Sequence, residues 1–394
     1  MTTELPPDLP HRRTPVADAR ALIVAALTPL PTEPVALADL AGRVVGAPVI
    51  APHDLPRHAN SAMDGFAVAA GTPSPWPLSA HILAGDDPAP LVPGTAAAIA
   101  TGGVVPEGAD AVIPLERVQE ADDVITALAP VTPGAHIRPV GADAHAGDIV
   151  IAAGQRLISG LGLTTVQCYR RPRVVVLTTG DELVPPGQPL RRGQIHESNS
   201  ILVAATLAAA GCEIVSTGGV PDTAEATRRA FADAIAAADL VVSTGGVSVG
   251  PRDHVKPALR DLGVDELFWR IATQPGQPVW CGVAADGTLV AGLPGNPLSC
   301  LVGLHLLLIP AVRALTGAAP EPQTIRAELA EPIGQLPERL RAIPMRLADG
   351  RLEQLGASLS HQLSRAAQAT ALALIPTGDG ELPAGTIVDA VPLG

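Results

Sequence analysis

Three apolar runs, each breaking off in a glycine-bearing polar turn, set the frame within which this chain must fold. Val174-Val175-Val176-Leu177 ends in Thr178-Thr179-Gly180-Asp181-Glu182, and Leu240-Val241-Val242-Ser243-Thr244 runs into Gly245-Gly246-Val247-Ser248-Val249-Gly250 with Asp253 beyond. Thr288-Leu289-Val290-Ala291 passes into Gly292-Leu293-Pro294-Gly295-Asn296-Pro297. Each reads as a buried strand opening into a turn. Helix-like segments at Asn199 to Ala210 and Ala224 to Ala237 flank a short strand at Glu213 to Ser216. This alternation predicts βαβ crossovers in a parallel sheet. The turns then open on one carboxyl edge, where such sheets bind ligands. Asp181, Glu182, Asp222 and Asp253 fall near these ends and predict a pocket for a phosphorylated ligand and a divalent cation.

The chain has 394 residues, enough for two to four domains. Its net charge of −13 and scattered basic residues exclude a broad nucleic-acid-binding face, which needs concentrated positive charge. Cys168, Cys212, Cys281 and Cys300 lack the close spacing of metal knuckles or redox pairs and read as buried free thiols. No secretory signal is visible at the start. Leu298 to Leu315 approaches the length of a membrane span, but His305, Pro310 and Arg313 interrupt it. It reads as a buried helix, with the cytoplasm as compartment and no membrane partner.

The chain opens with a proline-rich leader and a helix expected from Pro15 to Leu27, with Thr14 placed to cap it. A second helix is expected around Leu37 to Val44. From Ala51 onward, prolines punctuate short apolar segments and predict a β-rich insertion. Within it, Asn60-Ser61-Ala62-Met63-Asp64-Gly65-Phe66-Ala67 and Thr101-Gly102 through Asp110 read equally as structural turns or as sites. Leu157 to Val166 is expected to be a helix leading to the sheet domain. After Thr316-Gly317 the short segments Thr324 to Leu329, Ala342 to Leu347, Arg351 to Leu355, Ala371 to Ile375 and Thr386 to Val391 predict a small β-barrel or sandwich. The fold class is thus multidomain α/β plus β. The expected division is 1–50 with 141–170 as a discontinuous helical and linker domain, 51–140 β-rich, 171–318 α/β, and 319–394 C-terminal β.

Six motifs in order carry a family resemblance across nearly the whole chain. They are Asn60 to Ala67; Thr101-Gly102 with Pro106-Glu107-Gly108; Thr179-Gly180-Asp181-Glu182-Leu183; Gly193-Gln194-Ile195 with Glu197-Ser198-Asn199; Ser243 to Gly250 with Asp253; and Gly292 to Pro297 with Ser299. The chain resembles the molybdopterin molybdenumtransferases. The resemblance implies a sheet domain similar to molybdopterin adenylyltransferases and a cytoplasmic homodimer with composite active sites. It also implies adenylylated molybdopterin and molybdate as substrates, and a magnesium-assisted reaction releasing AMP. An adenylyltransferase that supplies substrate and molybdoenzymes that receive product are the implied partners. Two other readings stay open: adenylylation of molybdopterin by this chain itself, or a non-catalytic cofactor-binding scaffold.

On the residues alone, Gly245, Gly246, Ser248 and Gly250 would cradle a phosphate with exposed amides. Asp181 and Asp253 offer magnesium hard oxygen donors. Glu182 would orient water or the pterin, or cap a helix end after the strand. The resemblance places Asp64, Thr101, Arg138 and Asp143 on a second functional face, where Arg138 also reads as a structural ion-pair partner; Asp222, by its place near the strand ends, is a further catalytic candidate with Asp253. The resemblance makes Pro294, Asn296, Pro297, Ser299, Arg346 and Ser364 candidate pterin or oxyanion contacts. Gln274-Pro275-Gly276-Gln277-Pro278 stands where the family form is Lys-Pro-Gly-Lys-Pro, so Gln274 and Gln277 would meet the anion without charge. Ala59 and Ala142 also replace acidic residues of that form.

Overall fold

Two sets of alternate side chains on the apolar runs are buried on opposite faces of one sheet, which is why the runs are continuous rather than striped. The computed structural model describes residues 13–153, 163–246, 254–356 and 367–393. The sheet contains β1 (Arg173–Thr179), β2 (Glu213–Val220), β3 (Leu240–Thr244), β4 (Asp265–Trp269), β5 (Trp280–Val283) and β6 (Leu289–Leu293), in the order β2-β1-β3-β6-β5-β4. Strands β2, β1, β3 and β6 are parallel. The last two, β5 and β4, join antiparallel, so the sheet is mixed where the sequence predicted parallel crossovers alone. Their connection is a short turn region without a crossover helix, which permits the antiparallel return.

Val174, Val176, Leu240, Val242 and Leu289 pack on one face against α1 (Val16–Ala26), α2 (Asn199–Ala209) and the long helix from Pro297 to Leu315. Val175, Leu177, Val241 and Val290 pack on the other against α3 (Ala224–Ala237) and α4 (Val255–Asp261), through Phe231, Ala234 and Leu259. Each fully buried Leu or Val of this kind contributes ~1.5–3 kcal/mol relative to exposure. Strand β2 runs to Val220, four residues beyond the predicted end, and only Val220 in it is buried. As an edge strand with Gly218 and Gly219 it carries little apolar signal.

Several helices differ from expectation. Pro15 is the N-cap of α1, and no side chain caps it. Thr14 instead bridges Ile271, donating its N–H to the Arg270 carbonyl. Leu37–Asp39 is only a 3₁₀ turn, followed by Gly42 at φ +74°. The predicted helix at 157–166 lies outside the described residues up to 162. Its end enters the strand Thr165–Tyr169, paired with Thr32–Ala36, as suits the β-branched Thr165 and Val166.

The Pro297–Leu315 helix has 19 residues and a mean hydropathy of 2.0, with 78% of its most apolar stretch buried within the protein. It is a core helix. A π-turn at Leu304–Leu308 precedes Pro310, whose ring and missing N–H disrupt regular α-helical bonding. That turn holds His305, 8% exposed, whose pKa burial lowers to about 4. The unfolded chain therefore binds a proton between about pH 6.5 and 4 that the folded chain refuses, so stability is full above that window and lost as pH falls through it. At pH 5 the loss relative to neutral pH is expected to be about 2 kcal/mol. Urea unfolding of the wild type and His305→Leu at pH 7.5 and 5.0 checks this; an equal pH response in both would remove His305 as the cause.

Contacts gather Pro48–Ala152 into one unit and the flanking segments into another. The Pro48–Ala152 unit holds a six-stranded sheet ordered Ala111–Pro114, Gly65–Val68, Ala96–Ile99, Trp76–Ile82, Val124–Ala127, Val118–Ala121. A Cβ at Gly65 would overlap the Ile113 carbonyl, so the motif's glycine is what lets these two strands pair. In the other unit the C-terminal strands β7 (Ile325–Leu329), β8 (Leu340–Ala348), β9 (Arg351–Gln354), β10 (Ala371–Ile375) and β11 (Ile387–Pro392) close a barrel in the order β8-β9-β7-β11-β10-β8. Closure removes the free edges that such short strands would leave.

Candidate active site

The register of the parallel strands brings the three glycine turns together. Thr178 on β1 is opposite Thr244 on β3, and Thr244 is opposite Leu293 on β6. Gly245 donates its N–H to the Leu293 carbonyl at 3.0 Å. Gly245 and Gly246 sit at φ +83° and +62°, and a Cβ on Gly245 would lie 2.8 Å from the Thr179 carbonyl oxygen. Only glycine fits there without displacing backbone. The Gly295 side of the third turn faces Gly245, its Cβ position lying 3.8 Å from the Gly245 Cα. Asn296 accepts from the Leu298 N–H and caps the core helix, with Pro297 in its first turn. Pro294 and Ser299 are buried.

Carboxylates stand around this edge. Asp181 and Glu182 are exposed beyond β1, and Asp222 is half-buried just past β2. Glu182 caps no helix: a two-residue strand, Leu183–Val184, follows it, and its carboxylate folds back over Gly180. Ser248, Gly250 and Asp253 lie outside the described residues, as does Ser364. Asn199, at the end of the Glu197-Ser198-Asn199 motif, donates from Nδ2 to the Gly295 carbonyl at 2.8 Å. Its buried Oδ1 has no partner among the described residues.

A second cluster belongs to the Pro48–Ala152 unit. Asp64 Oδ1 accepts from the Thr101 N–H at 2.7 Å and from Thr101 Oγ1 at 3.0 Å. These bonds, the backbone one foremost, hold the Asp64 pKa below the ordinary carboxylate range. Asn60–Ser61 pairs with Ile137–Arg138, which sets the Arg138 backbone opposite Asn60. Arg138 is exposed and has no ion pair among the described residues, so the structural-partner role finds no support there. Asp143 is exposed in a neighbouring turn and donates its N–H to the Leu55 carbonyl at 2.8 Å.

Gln274 and Gln277 line a cleft of about 410 Å³ together with Ser299, Arg339 and Arg341. Arg346 is not among its lining residues; it points to Glu353 on β9, with Nε 2.9 Å from Oε2. No sequence signal linked Arg339 or Arg341 to the glutamines, because strand pairing across 67 residues brings them together. The four cysteines are free and buried. Burial pushes the Cys212 and Cys300 thiols up to about 12, which leaves them unreactive near neutral pH.

Fold and site define a multidomain protein whose α/β sheet gathers glycine turns and carboxylates at its carboxyl edge, with a β-rich unit inserted earlier in sequence and a β-barrel after it. Three family regions match along the chain: the MoeA N-terminal region (domain I and II) over residues 14–162, the probable molybdopterin binding domain over 175–314, and the MoeA C-terminal region (domain IV) over 326–393. The chain belongs to the MoeA family, the molybdopterin molybdenumtransferases. It is 39% identical over 382 residues to molybdopterin molybdenumtransferase 2 of Mycobacterium tuberculosis, covering 89% of this chain and 93% of that protein. It is 35% identical to molybdopterin molybdenumtransferase of a Nostoc species, covering 90% and 87%. A crystal structure of the molybdopterin biosynthesis MoeA protein from Pyrococcus horikoshii superposes with a TM-score of 0.81 at 25% identity, covering 96% of this chain and 99% of that one.

Proposed function

We propose that this protein transfers molybdenum from molybdate into adenylylated molybdopterin and releases AMP. The observation that carries the reading is the convergence of Gly180, Gly245–Gly246 and Gly295 at one sheet edge in a chain matched by its family from residue 14 to residue 393. Glycine turns let phosphate oxygens approach backbone amides closely. An adenylyltransferase needs the sheet domain but has no use for the barrel and the Pro48–Ala152 unit, so the full-length match favours molybdenum transfer. Asp64, Thr101, Asp181, Glu182 and Asp222 keep their polar chemistry although Ala59, Ala142, Gln274 and Gln277 do not keep the family's charge, and the retained set argues against a scaffold alone.

Among the described residues no three His, Cys, Asp or Glu side chains cluster. Asp181, exposed at the sheet edge, suits a cation that takes one or two carboxylates and completes its shell with water and substrate phosphate, which is magnesium chemistry. Asp181 and Asp253 would hold the ion, and bound magnesium would neutralise phosphate charge during AMP release. Glu182 and Asp222 would position water and polar pterin groups, while Asn296 and Ser299 meet the pterin. Asp64, Thr101, Arg138 and Asp143 of a partner subunit complete each site in a homodimer. The reaction is cytoplasmic, between an adenylyltransferase that supplies the substrate and molybdoenzymes that take the product.

The test is an assay in both directions. Adenylylated molybdopterin with molybdate and magnesium should yield AMP; free molybdopterin with ATP and magnesium should yield no adenylylated product. The reverse pattern would favour the adenylyltransferase.

A further inference from the structure

The Asp143 carboxylate has no hydrogen bond or ion pair among the described residues, so the turn that carries it decides where it stands. Ala142 removes the acid that the family form has beside it, which leaves that placement to one carboxylate. The turn, residues 141–148, leaves the pairing of Val49–Ile50 with Ile149–Ile151 and lies along the segment from Ala51 to Pro56. Leu55 holds it by backbone alone: its carbonyl accepts from the Asp143 N–H and its own N–H donates to the Ala144 carbonyl, both at 2.8 Å. This is an isolated bridge rather than a ladder. Asp54 adds a charged contact. Its Oδ1 accepts from the Ala146 N–H at 2.8 Å and lies 3.5 Å from His145 Nδ1. A bond to an ionised carboxylate is about twice as strong as the neutral backbone bonds beside it. The Ala146 bond, with His145 next, holds the Asp54 carboxyl below its ordinary range. The His145 ring in turn lies against Gly141, where a Cβ would come within 2.3 Å of Cε1 and Nδ1. Gly141 and His145 stand two residues before and two after Asp143, so the ring that Asp54 contacts gathers both ends of the turn around it.

We propose that Asp54 is a positioning residue for the reaction, which clamps the 141–148 turn through Ala146, His145 and Gly141 and thereby fixes the Asp143 carboxylate where substrate meets it. The inference rests on the molybdenum-transfer reading, in which Asp143 completes the site. Asp54 is half-buried and belongs to neither apolar cluster of the Pro48–Ala152 unit, so its loss acts on the turn and spares the cores.

The test pairs a structural readout with a kinetic one in Asp54→Ala, Asp54→Asn, Asp143→Asn and the double variant Asp54→Ala/Asp143→Asn. Hydrogen exchange followed by mass spectrometry should show the amides of residues 143–147 exchanging at least about tenfold faster in Asp54→Ala, with the strands at Gly65–Val68 and Ala96–Ile99 unchanged. In molybdate-dependent AMP release, kcat should fall at least about tenfold in Asp54→Ala while KM moves less. Asp54→Asn keeps an oxygen for the Ala146 amide and should recover most of both effects. In the Asp143→Asn background, Asp54→Ala should cost little further kcat, because the residue it positions is already disabled. A double variant whose loss is the product of the two single losses, or unchanged exchange in Asp54→Ala, overturns the proposal. Wild-type protein that shows the exchange difference but releases no AMP would support the clamp and reject the reaction.

Discussion

A Gly245→Ala protein is expected to lose AMP release by about a hundredfold or more, well beyond what its loss of stability explains. The added methyl meets the Thr179 carbonyl oxygen at 2.8 Å and Thr179 Oγ1 at 2.9 Å, at a residue with φ +83°. The left-handed backbone alone costs an L-residue about 1–2 kcal/mol. The steric demand is the larger matter, since Thr179 cannot yield without moving the end of β1 and the adjoining Asp181. A shift on the order of 1 Å in a positioned site costs about a hundredfold in rate. Gly263→Ala separates the two effects: Gly263 has φ +72° with nothing within 4 Å of its Cβ position. That variant should share the drop in urea midpoint and keep its activity. Equal activities in the two would mean that the β1 and β3 turns do not frame the reacting groups.

Asp64→Ala is expected to be as damaging, and to be rescued in mixed dimers. The carboxylate fixes the Thr101 loop through two hydrogen bonds, which also lower its pKa. If each site joins the Asp64 cluster of one subunit to the sheet edge of its partner, an Asp64→Ala subunit paired with a Gly245→Ala subunit contains one intact site and one doubly defective site. Random exchange makes half of the dimers mixed, so about a quarter of wild-type activity should return. Mixed dimers isolated with two affinity tags allow the measurement after exchange is verified. Activity no higher than that of either parent would show that each site is built within one subunit.

The central sheet was legible because β1, β3 and β6 are buried on both faces, which writes them as unbroken apolar runs. The barrel strands were legible from short apolar segments between turns. The end of β2 was not, because an edge strand with one buried residue looks like a loop. The antiparallel return of β5 and β4 was not either: β4 is an edge strand that opens on the exposed Asp265 and Glu266, and pairing direction leaves no trace in composition. At the site, glycine turns announced themselves through residues that tolerate no side chain. Thr179, Asn199 and Arg341 did not, because their roles come from contacts distant in sequence: Asn199 reaches Gly295, and Arg341 reaches Gln274 only through barrel pairing. Arg346, the arginine the sequence offered as an oxyanion contact, lies opposite Glu353 on β9 and pairs with it.

The most direct test of molybdenum transfer is the stoichiometry of a single turnover. Purified protein loaded with adenylylated molybdopterin is mixed with magnesium and molybdate, and AMP and pterin-bound molybdenum are quantified together over time. The two should rise together in equal amounts, with no AMP released when molybdate is omitted. AMP released without molybdate, or without a matching gain of molybdenum on the pterin, would contradict the account.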